Sequence, residues 1–412
     1  MSVLYNLPNE ILEIIFNFCD VYTLSRIRMV CKRFNTVAYN TLEKKSEHLL
    51  VTNQKSKKFR ERCKPLLSLD KNFKFITNYN WIHKKCKKRQ IYKMEEINIE
   101  QGQSYFYPFQ YGNRSVQITR NMVWSFCAGD LLAFKRAKNG TIKKGKNILK
   151  TDKAFIETYT HCGNYIISGD REGIINRWEI KDNQKDFLRK PLKIHNVHFK
   201  IEGINATSQH IIINSENLLK ILKYSDDRKG CTEENEIFCG DRCCIQSISF
   251  DPKGTKFAVT SYDWSGFSHK FLIYDFDKSY QIMNIKYDDP CKQLIWEDTH
   301  TILMRFDYSI RKIDLRTSKF VRTWDSSKYH WSYCYSSDNM NTFMTGHDVV
   351  VLWDQRKSVA IQTYDINGLI FALEFDSSHM YAVAGNGLYE LDFTRKNYIN
   401  HKKIETFFGN FY

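Results

Sequence analysis

YIISGDREGIINRWEI, from Tyr165 to Ile180, is the stretch that decides the fold of this chain. It begins with a run of apolar and β-branched residues, turns through Gly, Asp and Arg, and continues as a second run that ends at Trp178 and Glu179. Two such runs joined by a tight glycine-containing turn predict an antiparallel β-hairpin. From about residue 90 onward, similar runs alternate with turns rich in Gly, Asn and Asp, which predicts an all-β fold for most of the chain.

The hairpin recurs with variation along the chain. It resembles a WD40 repeat, in which Ser-Gly-x-x-x-Gly precedes a Trp-Asp pair. Six further segments carry a counterpart of Trp178, and these anchors are Phe134, Leu222, Tyr274, Ile313, Trp353 and Leu391. Successive anchors are 38 to 52 residues apart, close to the roughly 40–45 residues of one propeller blade. Seven anchors predict a seven-bladed β-propeller, with a β-sandwich or a six-bladed ring as the alternative.

The spacing of the anchors also predicts how the ring closes. Each anchor should end the third strand of its blade, yet little chain remains after Asp392. The last blade should therefore take its outer strand from the start of the array, near Gln90–Glu96. Such closure removes the open sheet edges. We accordingly expect a propeller over residues 90–393 and a C-terminal tail over residues 394–412.

The first forty residues have a different, helical pattern. Residues 7–19 read LPNEILEIIFNFC, in which Pro8 suits the first turn of a helix and Glu10 suits the positive end of its dipole. The apolar residues of this segment form a wide helical face, and two shorter apolar stripes follow before residue 38. A module of about forty residues is too small to bury all of this surface internally. Either a partner or the main domain should cover part of it.

The order of residues 5–40 resembles the F-box motif, with Leu7-Pro8-x-Glu10-Ile11-Leu12 at its start and Val30-Cys31-Lys32-x-Phe34 near its end. In F-box proteins this segment contacts the adaptor Skp1. The resemblance implies an F-box over residues 1–42, in which Phe34 can alternatively serve the module's own core. The Skp1-binding residues that it implies are Leu7, Pro8, Ile11, Leu12, Ile15, Leu24, Val30, Cys31 and Phe34.

Residues 43–89 form a basic, partly helical connector between the two parts. From Lys44 to Lys93 the sequence holds sixteen Lys and Arg against three Asp and Glu, a net charge of +13, whereas the whole chain carries +16. Such a run is usually a solvated surface, although it can also bind nucleic acid or acidic partners. No RNA-binding module accompanies it. We therefore expect a solvated spacer, and nucleic acid is not the expected partner.

The residue pattern does not support a catalytic, metal or cofactor site. The twelve cysteines form no Cys-x-x-Cys pair, so we expect free thiols, a reducing compartment and no metal. Residues 140–147, GTIKKGKN, nearly match a phosphate-binding loop, but Asn147 replaces the hydroxyl that would hold Mg²⁺. No Ser/His/Asp or Cys/His arrangement can be assembled by spacing. We expect a non-catalytic protein without cofactors.

The sequence also predicts where the chain resides. Its first twenty residues lack a basic start and a small-residue cleavage site, and no stretch approaches eighteen apolar residues. We expect a soluble protein of the cytoplasm, the nucleus or both, with no membrane partner.

The whole arrangement resembles the F-box/WD-repeat substrate receptors. Further motifs that carry the resemblance are NWIHKKC (Asn80–Cys86), IDLRTS (Ile313–Ser318) and VVVLWDQR (Val349–Arg356), although most blades lack a clean Trp-Asp pair. The resemblance implies an all-α F-box module plus an all-β seven-bladed WD40-like β-propeller. It implies the substrate-recognition subunit of an SCF (Skp1–cullin–F-box) ubiquitin ligase, in which Skp1 connects the chain to a cullin–RING ligase and the propeller binds an unidentified protein client.

In WD40 receptors the turn between the second and third strands of a blade opens onto the client-binding face. The residues that occupy such turns here are Arg171, Tyr262, Phe306 and His347. Their aromatic and basic side chains would suit an acidic or phosphorylated segment, and the alternative for each is an ordinary packing or solvated turn residue. Two alternatives stay open: a non-ligase scaffold that uses Skp1 only for stability, and a nucleic-acid-associated protein that acts through the basic connector.

Overall fold

Seven four-stranded antiparallel sheets and five α-helices make up the described part of this computed structural model. The structure describes residues 4, 6–19, 21–46, 57–63, 71–93, 115–127, 130–143, 145, 147–149, 156–180, 191–225, 230–263, 268–276, 280–329 and 332–395. The predicted tail, apart from residues 394 and 395, lies outside these ranges, as do residues 47–56 and 64–70 of the connector.

Six of the sheets use four consecutive strands each. Blade 1 consists of β2 (Ser115–Ile118), β3 (Met122–Cys127), β4 (Asp130–Lys135) and β5 (Asn147–Leu149). Blade 2 consists of β6 (Ile156–Cys162), β7 (Tyr165–Asp170), β8 (Ile174–Glu179) and β9 (Leu192–Asn196). Blade 3 consists of β10 (Gly203–Ala206), β11 (His210–Ser215), β12 (Leu218–Tyr224) and β13 (Cys231–Phe238). Blade 4 consists of β14 (Cys243–Phe250), β15 (Lys256–Asp263), β16 (Ser268–Asp275) and β17 (Gln281–Tyr287). Blade 5 consists of β18 (Gln293–Trp296), β19 (Thr301–Arg305), β20 (Ser309–Asp314) and β21 (Lys319–Asp325). Blade 6 consists of β22 (Cys334–Ser337), β23 (Thr342–Gly346), β24 (Val349–Asp354) and β25 (Ala360–Asp365).

The seventh blade joins the two ends of the array. It combines β26 (Ile370–Phe375), β27 (His379–Ala384) and β28 (Gly387–Asp392) with β1 (Lys87–Lys93), which pairs antiparallel with β28. The predicted closure is confirmed, and β1 begins three residues before the predicted start at Gln90. Gly387 makes the pairing possible because a Cβ at this position would lie 1.9 Å from the carbonyl oxygen of Tyr92.

The sheets form a ring because their first strands pack together. For example, β10 contacts β6 and β14, and β26 contacts β22 and β2, so the first strands face the centre. The seven predicted anchors all lie on third strands, as with Trp178 on β8 and Leu391 on β28. Neighbouring blades share apolar cores, one of which joins Ile167 of blade 2 to Ile211 of blade 3. The seven-bladed propeller is thus confirmed, and the sandwich and the six-bladed ring are excluded.

Three helices form the N-terminal module: α1 (Asn9–Asn17), α2 (Val21–Ile27) and α3 (Lys32–Ser46). Their core consists of Leu12, Phe16, Leu24, Phe34, Val37, Ala38 and Leu42. Phe16 meets Phe34 edge to face, with ring centroids 5.6 Å apart. The three helices predicted by the sequence pattern therefore pack around a small apolar core of their own.

Two connector helices, α4 (Lys57–Arg62) and α5 (Lys71–Ile82), join this module to the ring. Phe59 and Trp81 are fully buried against blades 6 and 7. Trp81 stacks on Phe393 with ring centroids 3.4 Å apart, and its indole N–H donates to the carbonyl of Ser377 at 3.2 Å. Since α5 also contacts α2 and α3, it links the two folded parts directly. The described connector is therefore docked on the ring through its apolar side chains, whereas its lysines Lys84, Lys85, Lys87 and Lys88 are exposed to solvent as expected.

Charged residues reinforce this docking. Arg62 pairs with Glu374 at 3.1 Å and donates to the carbonyl of Ser337. Arg136 forms a fully buried pair with Asp376 and also donates to the carbonyl of Arg62 at 2.7 Å. The buried pair keeps the pKa of the Asp376 carboxyl below its usual range, although burial opposes this effect. Blades 1, 6 and 7 therefore hold the end of α4 through a connected polar network.

Candidate functional site

The N-terminal module leaves large apolar side chains exposed on α1 and on the turn between α2 and α3. The five residues here called the N-terminal apolar face are Ile11 (42% exposed), Ile14 (54%), Phe18 (77%), Met29 (80%) and Val30 (55%). Monomeric soluble proteins rarely leave large apolar side chains clustered at the surface without a binding role. This patch is the first candidate site.

Helix α1 presents this patch because its apolar arc is wider than the core that it covers. At 3.6 residues per turn its apolar side chains span about 200°. Leu12 and Phe16 occupy one side of the arc and are buried, Ile15 lies half-buried in the middle, and Ile11 and Ile14 lie exposed on the other side. One helix thus packs the module with half of its apolar surface and offers the other half to a partner.

Three of the residues predicted to bind Skp1 belong to the module's core instead. Leu12 and Leu24 are fully buried, and Phe34 is buried against Phe16. An apolar side chain that already packs inside a three-helix core cannot also cover a partner's surface. The structure therefore corrects the assignment of these three residues, and it favours the alternative of a core role for Phe34.

The remaining predicted residues lie at the rim of the core or outside it. Ile11 and Val30 are exposed in the N-terminal apolar face, and Pro8 is exposed at the start of α1. Leu7, Ile15 and Cys31 are half-buried and pack against the edge of the core. These six residues remain predictions for the interface, and their exposure is compatible with it.

Sequence reasoning missed Ile14, Phe18 and Met29. The signal for two of them was present, because Ile11, Ile14 and Phe18 recur at i, i+3 and i+7 of one helix. Met29 could not be found in this way because it lies in the turn between α2 and α3. Its exposure depends on how that turn is held.

Hydrogen bonds fix the segments that carry the patch. Arg33 of α3 donates to the backbone carbonyl of Leu7 and, at 2.8 Å, to the side-chain oxygen of Asn9. Lys44 pairs with Glu13 at 2.6 Å. Both contacts tie the first helix to the third, so the patch is preorganised on a small rigid body.

The second candidate site is the propeller face formed by the turns between second and third strands. Arg171, Phe306 and His347 lie in such turns, and Tyr262 lies at the end of β15 next to one. The four positions therefore occur at the same end of four different blades. The four side chains do not form one cluster, because each contacts residues of its own blade or of an adjacent blade.

Phe306 is not available on this face. It is 1% exposed and packs against Tyr287, with ring centroids 5.7 Å apart. The guanidinium of Arg311 lies 4.2 Å from the Phe306 ring and pairs with Asp289. The ring fills the seam between blades 4 and 5, so its assignment as a client-binding residue is corrected.

The other three predicted side chains already have partners. Arg171 is exposed but donates to Glu157 at 2.7 Å. Tyr262 stacks on His269, with ring centroids 5.0 Å apart. His347 stacks on Tyr333 at 4.6 Å and lies 3.0 Å from the carboxylate of Asp348. These contacts occupy the side chains that were expected to attract an acidic client. The binding of a client by Arg171, Tyr262 and His347 stays a prediction.

One arrangement resembles a catalytic triad but is closed to substrate. Ser378 Oγ lies 2.7 Å from His379 Nδ1, and His379 Nε2 lies 3.6 Å from the carboxylate of Asp392. Ser378 and His379 are fully buried, and burial lowers the pKa of the His379 imidazole. Since no substrate can reach the serine in this fold, the network serves to hold blade 7 together.

Two further kinds of site are absent from the described ranges. No group of three or more His, Cys, Asp or Glu side chains there could hold a metal ion. Over the same ranges, every helix is too short or too polar to cross a membrane.

Comparison with known proteins identifies both parts of the chain. The family model of the F-box domain matches residues 4–44. The sequence is 27% identical over 164 residues to F-box/WD repeat-containing protein 4 of Mus musculus and 26% identical over 164 residues to that of Homo sapiens. Each match covers 36% of this chain and 40% of the relative, so it spans about two fifths of the relatives' length.

Two solved structures share the fold of the ring. The WD40 beta propeller domain of Doa1 superposes with a TM-score of 0.56 and 12% identity, over 76% of this chain and 98% of that domain. The computationally designed Ika8 protein gives a TM-score of 0.50 and 12% identity, over 74% of this chain and 99% of the design. An F-box domain is thus followed by a seven-bladed WD40-like propeller, and the sequence relatives carry the same two parts in their name.

Proposed function

We propose that this chain is the substrate-recognition subunit of an SCF ubiquitin ligase. Its F-box would bind Skp1, Skp1 would connect it to a cullin–RING ligase, and the propeller would bind the client protein. The observation that carries the proposal is the N-terminal apolar face on a domain whose family binds Skp1.

The energetics of this face favour a stable contact. Phe18 and Met29 are more than three-quarters exposed, so a partner that covers them removes most of their apolar surface from water. Covering a large apolar side chain fully is worth about 1.5–3 kcal/mol. Because Arg33 and Lys44 already hold α1 against α3, little ordering of the module opposes binding.

The proposed mechanism is proximity without chemistry in this chain. A ligase that holds a ubiquitin-charged enzyme near the client's lysines raises their effective concentration. The docked connector supports this mechanism, because a bound client would be presented in a restricted range of orientations relative to the F-box. The anchors of that geometry are Phe59 and Trp81.

A co-purification experiment tests the F-box contact. The double variant Ile14→Ala/Phe18→Ala removes two exposed side chains that do not belong to the module's core. Loss of a central apolar anchor costs about 2 kcal/mol or more, so we expect Skp1 binding to weaken at least about thirtyfold. The control is Tyr39→Ala on α3, which removes another exposed large apolar side chain (41%) from the same module but outside the N-terminal apolar face.

The outcomes separate the proposal from its alternatives. Wild-type protein that fails to retain Skp1, or a double variant that binds like wild type, would contradict the assignment of this face. Retention of Skp1 without any cullin would favour a scaffold over a ligase receptor. For a receptor, depletion of the chain should also lengthen the half-life of at least one protein that the propeller captures.

A further inference from the structure

The outer strand of blade 7 differs in charge from the outer strands of the other blades. Strand β1, KKRQIYK, has four Lys or Arg and no acidic residue, whereas each of the other outer strands has at most two basic residues. Two more lysines, Lys84 and Lys85, stand just before it in the sequence, with Cys86 in between. The charge is therefore concentrated at one edge of the ring.

Four of these lysines are unpaired within the described part of the chain. Lys84, Lys85, Lys87 and Lys93, here called the basic edge, are exposed, and none has a described carboxylate within ion-pair distance. Their positive charges thus add to one another without local compensation. This surface should attract an acidic ligand over a distance of about one Debye length, roughly 8–10 Å.

The strand that carries the basic edge is firmly positioned. Arg89 pairs with Glu390 at 2.6 Å and donates to the carbonyl of Ile142 of blade 1 at 2.8 Å. Lys88 donates to the side chain of Asn367 at 3.0 Å. Because two neighbours hold β1 from either side, its backbone is preorganised as an extended strand.

The backbone of β1 also has unused hydrogen-bonding capacity. The strand occupies the end of its sheet and, among the described strands, pairs with β28 alone. The outward N–H and C=O groups of such an edge are a template for another strand. Lysines disfavour pairing with a basic edge by charge repulsion and with a neutral edge because their charges would lose hydration. An acidic segment would instead gain both backbone hydrogen bonds and ion pairs.

This combination favours a protein segment over a nucleic acid. A strand edge offers acceptors as well as donors, and only a peptide backbone matches both. Recognition of single-stranded nucleic acid uses exposed aromatic rings on which bases stack. The one aromatic residue of β1, Tyr92, is half-buried and packs against the core between blades 7 and 1.

We propose that the basic edge binds an acidic, extended protein segment, which adds to blade 7 as a fifth strand along β1. The site lies beside the F-box module, because Lys84 and Lys85 follow α5 and α5 contacts α2 and α3. The proposal concerns neither Skp1 nor the client turns, and it holds or fails independently of the proposed ligase role.

Fluorescence anisotropy of the full-length chain tests the proposal. The probe is a labelled synthetic peptide of about twelve residues in which Glu alternates with Thr, measured at about 50 mM salt, where electrostatic binding is strong. The variant Lys84→Gln/Lys85→Gln/Lys87→Gln/Lys93→Gln should bind it at least about tenfold more weakly. The matched control Lys253→Gln/Lys256→Gln/Lys319→Gln/Lys357→Gln changes the same net charge at four other exposed lysines and should bind within about twofold of wild type.

Two competitor probes decide the mode of binding. The same peptide N-methylated at alternate residues keeps its charge but cannot pair along a strand edge, so we expect it to compete at least about tenfold less well. Single-stranded oligo(dT) of equal charge should also compete less well than the peptide. Equal loss in both lysine variants, equal competition by the N-methylated peptide, or better competition by oligo(dT) would each overturn the proposal. If the fourfold variant has a lower Tm than wild type, the double variant Lys84→Gln/Lys85→Gln tests the same surface outside the strand. Unchanged peptide binding by this double variant would also overturn the proposal.

Discussion

Gly387 is the position at which a single added methyl group should open the propeller. It starts β28 opposite Lys93, and its φ of +146° lies in a region that other residues rarely adopt. A Cβ built there would lie 1.9 Å from the carbonyl oxygen of Tyr92. Since the obstructing atom belongs to the backbone of β1, it cannot move without displacing the closing strand.

The expected cost of Gly387→Ala follows from these two effects. A strained backbone conformation costs about 1–3 kcal/mol. Displacement of the end of β1 removes one or two ladder hydrogen bonds, worth about 1 kcal/mol each. We therefore expect a loss of about 2–5 kcal/mol in the free energy of unfolding, and a fall in Tm of roughly 4–10 °C at about 2 °C per kcal/mol.

Thermal unfolding and limited trypsin digestion measure this effect. In the variant, the released β1 should be cleaved at Lys87 and Lys88 faster than in wild type. Gly385→Ala is the matched control, because a Cβ there has no atom within 4 Å and its φ lies outside the left-handed region. A Gly387→Ala protein whose Tm and digestion pattern equal those of Gly385→Ala would refute the reasoning that β1 is a tightly fitted closing strand.

Two further predictions concern other parts of the molecule. Trp81→Ala removes a fully buried side chain from the contact between connector and ring, and should cost about 3–5 kcal/mol in urea unfolding, while Trp81→Phe should cost clearly less. Burial lowers the pKa of His161 from 6.5 to about 4, so this side chain takes up a proton on unfolding below pH 6.5. Stability should thus fall by about 1–2 kcal/mol between pH 7 and pH 5, and His161→Gln should remove that part of the fall. Equal losses for both Trp81 variants, or an unchanged pH dependence in His161→Gln, would contradict these accounts.

The architecture of the ring was largely readable from the sequence. The anchors recur at a nearly constant spacing because each blade repeats the same three-strand hairpin unit, and a constant unit leaves a period in the sequence. Ring closure was equally readable, because the shortage of chain after Asp392 requires a strand from elsewhere. Neither prediction depended on any single side chain.

The docking of the connector was hidden by composition. Phe59 and Trp81 carry it, but they stand within a segment whose Lys and Arg dominate any average over residues. Phe59 and Trp81 are isolated large side chains, so they do not produce a periodic hydrophobic pattern that could be detected in the sequence. Their role becomes visible only when the ends of blades 6 and 7 form the surface that accepts them.

The candidate sites show the same limit. The sequence predicted that α1 is a binding helix, yet it could not divide the apolar arc between core and surface. For this reason Leu12 was assigned to the interface and Phe18 was missed. That division depends on where α2 and α3 pack. Similarly, Phe306 occupies a turn position that faces solvent in principle, but the neighbouring Tyr287 provides an interior contact for its ring.

The pairing of β1 with β28 imposes an order on synthesis. The ribosome releases β1 soon after the F-box, and it releases β28 after every other described strand. Pairing of β1 with β28 is therefore delayed until the whole propeller has been synthesised. Domains emerge at about 5–20 residues per second, which leaves β1 unpaired for tens of seconds. A product that stops before Gly387 can complete its F-box core but cannot close its ring. If the F-box binds Skp1 as proposed, such a truncated chain would still compete for it, so an incomplete chain would inhibit the complete one.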